Sequence, residues 1–112
     1  MERTYKPLLM ESIQAQTDIE KQRFIGFDGN YCTAGAKALG VSDVEIEAGQ
    51  YTPVAVNGIL LVKSVGNIAV GARITSNAQG YAATAPTQAE TNGYALDAAS
   101  GAGEVIRIAR GI

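Results

Sequence analysis

Apolar and polar residues alternate along this chain in short runs, and most runs end at a glycine or an Asx-Gly pair. A period of two marks strands with one buried face. The pattern predicts strands over 9–14, 23–27, 73–75, 81–84, 93–97 and 104–110, the last with Ile106 and Ile108 on one face. Over 37–46 a short helix competes. Val41, Val44 and Ile46 are β-branched and Gly35 and Gly40 weaken a helix, so a strand is expected there. "DIEKQ", Asp18 to Gln22, has the charge spacing of one helical turn that nothing extends. Turns are expected at Asp28-Gly29, over Glu47 to Gln50, at Gly71 and over Asn77 to Gly80, and 85–92 form a polar loop.

The most informative run is "VAVNGILLVKS", Val54 to Ser64. Asn57-Gly58 between two apolar runs is a strong hairpin signal. As a two-residue turn it would oppose Val56 to Ile59, Ala55 to Leu60, Val54 to Leu61 and Pro53 to Val62. Val54, Val56, Ile59 and Leu61 would then share one face. Ala55, Leu60 and Val62 would share the other, which is apolar as well, whereas a hairpin on the skin of a small monomer has a polar outer face. Either a closed barrel or two-layer sandwich covers this second face from within, or a subunit interface does.

Many short strands with Gly-rich turns define an all-β chain, a small sandwich or barrel of jelly-roll-like or tulip-like form. With 112 residues it is the size of one domain, long enough for a core without staples. Residues 1–8, polar and carrying Pro7, look like an extended arm; the N-terminal arm is expected over 1–10 and a single β domain over 11–112. The net charge is −2 and no basic stripe is present, which argues against a nucleic-acid partner. No segment has the apolar length of a membrane span, and the first residues lack the pattern of a signal peptide, so synthesis in the cytoplasm is expected. The single cysteine, Cys32, can form no internal disulfide and is read as a small, partly buried residue.

Candidate chemistry is sparse. Without histidine, neither a Ser-His-Asp nor a Cys-His arrangement can be built, and no cysteine pair is present to bind zinc. Asp43, Glu45 and Glu47 alternate and would lie on one face of a strand, where like charges repel, so a solvated outer face is expected rather than a Ca²⁺ or acid-base site. "GAGEV" and "GNIAVG" lack the helix and the Lys-Ser/Thr of a phosphate loop. Arg107 and Arg110 are expected as surface charge opposite Glu104 or Asp97, and the five tyrosines are scattered. The reading is of no enzyme, no catalytic residue, no cofactor and no metal.

Four motifs in order, "RFIGFDGNYCTAGAKALGV", "EAGQYTPVAVNGILLVKS", "IAVGARITSNAQGYA" and "NGYALDAASGAGEVIRIAR", resemble the small phage head-decoration family, also called capsid cement proteins. The resemblance spans about residues 9–110, and "ALDAAS" followed by "AGEVIRI" is its best part. It implies a compact β domain that binds the outside of an expanded capsid and locks capsomers together. The implied partners are the major capsid protein and further copies of the chain, as a homotrimer, with no nucleic acid and no membrane, and the implied location is the outer surface of the virion. Tyr5, Pro7, Leu8 and Leu9 would anchor the arm on the shell, and Ala55, Leu60 and Val62 would meet a neighbouring subunit or the shell. A tail or fibre-base component and a β domain binding a small ligand or carbohydrate between its tyrosines are the alternatives.

Overall fold

The chain is described by a computed structural model over residues 6–111. Every regular element among these residues is a strand: β1 (Lys6–Gln14), β2 (Phe24–Ile25), β3 (Gly40–Ser42), β4 (Tyr51–Lys63), β5 (Arg73–Ser76), β6 (Ala82–Thr84), β7 (Gly93–Ala95) and β8 (Val105–Arg110). They form one sheet in the order β2-β3-β4-β8-β7-β5-β6, with β1 added alongside β4. The sheet curls until its ends meet. Ser64 bridges Ala82 in parallel, and the amide of Phe24 donates to the carbonyl of Gly80 at 2.7 Å. The result is a nearly closed barrel, which removes most open edges.

Asn57-Gly58 does not make a hairpin. β4 runs straight through it for 13 residues. β1 pairs along one side, from Gln14 opposite Tyr51 to Lys6 opposite Ile59. On the other side lie β3, at Val54 and Ala55, and then β8, from Gly58 to Lys63. Beyond Asn57 the strand alternates, with Gly58, Leu60 and Val62 buried and Ile59 and Leu61 half-buried. The ladder slips at Val56, and Ala55, an odd position, joins Leu60 and Val62 in the same core.

Leu60, Val62, Ile74, Ile106 and Ile108 fill the barrel with Phe24 and Val41, and small residues such as Ala82, Ala95 and Cys32 complete the same core. Fully burying side chains as large as Leu60 or Ile108 contributes about 1.5–3 kcal/mol each. Ala55, Leu60 and Val62, expected at a subunit interface, are 1 %, 0 % and 0 % exposed within this single chain. The chain's own strands cover them, so they offer no surface to a partner. Burial also pushes the Cys32 thiol above its ordinary pKa, as for a structural cysteine.

Shorter elements depart from the sequence pattern where side chains take over from the ladder. No helical turn forms over Asp18 to Gln22. Ile19 instead bridges Ile46 and enters a second small cluster with Ala15 and Ile25. Over 37–46 only Gly40–Ser42 is strand, because the preceding loop is held by a side chain. Asn92, fully buried, accepts from the Ala38 amide at 2.9 Å and donates to the Ala36 carbonyl at 2.9 Å. Asn92→Ala leaves the buried Ala38 amide unpartnered, at about 1–3 kcal/mol, and the Ala36 carbonyl with only the weak Cys32 thiol donor at 3.4 Å. The urea midpoint of that variant is expected to fall clearly below wild type, and an unchanged midpoint would show that other contacts hold the loop.

Candidate interaction site

The first strand carries the most exposed apolar residues of the described chain. β1 pairs with β4 on one side, and no other named strand pairs with it among the described residues. Its ladder slips twice: Pro7 opposes Gly58, Leu9 opposes Asn57 and Met10 opposes Ala55. Leu8 and Val56 are each left without an opposite number, a double bulge. Proline, which has no amide hydrogen, and a glycine at φ +113° sit where the slip begins. The bulge turns Leu8 outward until it is 84 % exposed, with Leu9 also exposed. A ridge of this kind on an edge strand is a contact surface in waiting.

Of the four residues expected in an arm, the structure brings together Pro7, Leu8 and Leu9, and it does so within a paired strand rather than a free extension. Tyr5 lies outside the described residues. The strand also runs unbroken across the expected boundary between residues 10 and 11.

A second feature escaped the sequence pattern. An open groove of about 810 Å³ is lined by Asp18, Glu20, Arg23, Tyr31, Glu45, Glu47 and Tyr81 among others. The Arg23 guanidinium, although charged, is buried between two rings, 4.6 Å from the centre of Tyr31 and 3.9 Å from that of Tyr81. It pairs with Glu20 and donates to the Gln79 carbonyl at 2.9 Å and the Tyr81 hydroxyl at 3.1 Å. The Tyr31 hydroxyl accepts the Glu20 amide at 2.9 Å. Each of these two tyrosines therefore has one ring face committed to a structural cation. Arg23 and Gln79 are 56 residues apart, so no local spacing announces the cluster.

Asp43, Glu45 and Glu47 are all exposed. Among the described residues no group of three His, Cys, Asp or Glu side chains is placed to hold a metal ion, and no helix is long and apolar enough to cross a membrane. The two late arginines diverge. Arg107 grips Asp97 with two bonds, Nε to Oδ2 at 3.1 Å and Nη2 to Oδ1 at 3.0 Å, as one of the expected pairings has it. Arg110 pairs with no acid among the described residues. Its guanidinium donates to the carbonyls of Leu39 at 2.7 Å and Val56 at 3.2 Å, and to that of Ala38. Burial lowers its pKa from the ordinary value.

A small barrel with a projecting apolar edge has the build of a contact module. The chain belongs to the phage cement protein family, whose pattern it matches over residues 7–110. It is thus a phage structural protein and a virion component. Among solved structures it is similar to the head fiber gp8.5 N base in bacteriophage phi29, with a TM-score of 0.78 and 16 % identity over 92 % of this chain and 93 % of that one. That likeness establishes the shared fold. No curated protein matches the chain.

Proposed function

We infer that this protein is a capsid decoration protein that binds the outer face of the expanded phage head and stabilises it, without catalysis. Family membership over residues 7–110 is the observation that carries the reading, and the bulged edge of β1 supplies a surface for it. Pro7, Leu8 and Leu9 meet the major capsid protein, with Tyr5 in the same stretch of chain. The protein acts as a homotrimer, using surfaces other than the buried Ala55, Leu60 and Val62. Several modest contacts held in one oligomer then add through effective concentration into a clamp across capsomers.

The direct test is co-sedimentation of the purified protein with undecorated expanded heads, with unexpanded proheads as control. Saturable binding to expanded heads alone is expected, and binding to neither would remove the reading. Leu8→Asp should keep the fold, since its side chain is exposed, yet weaken head binding. Losing the burial of one leucine, about 1.5–3 kcal/mol, corresponds to about 10- to 150-fold in affinity. Unchanged binding by this variant would clear β1 of the role. The fold shared with a head fiber base favours one second reading, a base on which a longer appendage stands. Electron microscopy of the virion separates the two, because a base shows density continuing outward beyond the barrel.

A further inference from the structure

At the C-terminal end of β8 the barrel wall holds a pocket of about 250 Å³, and its lining includes Lys37, Asn57, Thr91, Tyr94 and Arg110. Both charged residues of the lining are cations. Lys37 Nζ donates to the Thr91 carbonyl at 2.7 Å, which leaves two of its three donors. The Arg110 guanidinium, set deeper, donates only to backbone carbonyls. Neither cation pairs with a carboxylate among the described residues. Lys37 is exposed and Arg110 is half-buried; a half-buried charge is normally balanced by a partner of opposite sign, and among the described residues no carboxylate lines the pocket.

The neutral groups point to the same chemistry. Asn57 and Tyr94 line the pocket as well, each bringing a neutral donor in its side chain. An ammonium, a guanidinium, an amide and a phenol together present donors that suit an acceptor-only anion. The volume admits a carboxylate on a short stem and is below that of ordinary sugar or nucleotide sites.

We propose that the pocket formed by Lys37, Asn57, Tyr94 and Arg110 binds a carboxylate, supplied in the assembled particle by an Asp or Glu side chain of the surface on which the domain sits. The source of the carboxylate rests on the decoration reading, whereas the pocket's chemistry does not. Such a contact would orient the barrel on the shell, since the apolar β1 edge alone leaves rotation about the strand free.

Two arms test this. In the first, isotopically labelled protein is titrated with sodium acetate against sodium chloride at equal ionic strength. Saturable amide shifts at Lys37, Asn57, Tyr94 and Arg110 with acetate alone are expected, about tenfold weaker in Lys37→Met, the loss of one charge-assisted bond. Shifts that follow ionic strength, or that are the same in Lys37→Met, would overturn the pocket. In the second, Lys37→Glu is compared with Lys21→Glu, an exposed control, in co-sedimentation with expanded heads. Loss of binding in the first variant alone supports a carboxylate on the shell. Equal loss in both means general charge and overturns that source. Failure of the wild type to sediment with heads counts against the decoration reading, and the acetate titration then decides the pocket by itself.

Discussion

Leu60→Asp should leave little folded protein at neutral pH. Leu60 is fully buried in the barrel core, opposite Ile108 on β8, and no polar side chain belongs to that cluster. Placing an unpaired carboxylate there costs about 4–5 kcal/mol or more, against a total stability of about 5–15 kcal/mol for a domain. The buried acid would hold its proton, with a pKa above the unfolded value near 4. The folded state then binds more protons than the unfolded one above that value, so the variant is least impaired in acid and loses stability as pH rises. Leu60→Ala, which only leaves a cavity, should cost about 2–5 kcal/mol at any pH. Circular dichroism and urea titration at pH 4 and pH 7 would measure both. A soluble, folded Leu60→Asp protein of reduced oligomeric mass would instead show that this face meets a partner.

Gly58→Ala should detach the first strand while sparing the barrel. A Cβ at this position would stand 2.3 Å from the Lys6 carbonyl oxygen, 2.8 Å from the Leu8 nitrogen and 3.0 Å from the Pro7 Cα, all backbone atoms that cannot swing aside. The residue also has φ +113°, which adds about 1–3 kcal/mol of strain for an L side chain. Gly49→Ala is the matched control, since its φ is +90° and a Cβ there meets nothing within 4 Å. The two variants share the strain and differ in the clash. Hydrogen exchange is expected to quicken along residues 51–59 in Gly58→Ala only, and chymotrypsin should cut sooner at Leu8 and Leu9. Equal exchange in both variants would mean that β1 yields without leaving.

The same glycine explains where sequence and structure part. Alternation located β5 and β8 closely and put Ile106 and Ile108 on the inner face, because period two in a half-buried strand is a local property. Asn57-Gly58 carried a true signal, positive φ at glycine, but the signal is shared by hairpin turns and by points where another backbone passes close. Only the partners decide between them, and these lie far off in the chain: Lys6 is paired with Ile59 and Arg110 with Gly58. Once β1 and β8 claim the two sides of β4, no side is left for a hairpin. Arg23 was invisible for a related reason. A lone arginine before Phe24 reads as ordinary surface charge, and its two ring partners and Gln79 come from other loops. Pro7, Leu8 and Leu9 came forward only through the family resemblance, as anchors of an arm; that they lie in a bulged strand, with Leu8 thrust outward, needed the register against β4.

That register has a mechanical consequence. The hydrogen bonds between antiparallel strands lie across the strand axis, and β1 is tied to β4 from Gln14 to Lys6. A load entering at Leu8 and directed along the strand strains this whole ladder at once, in shear, before any single bond can break alone. The same load directed outward from the barrel opens the bonds one after another from the Lys6 end, like a zipper. The joint therefore resists tangential stretch of whatever surface holds Leu8 far better than it resists peeling.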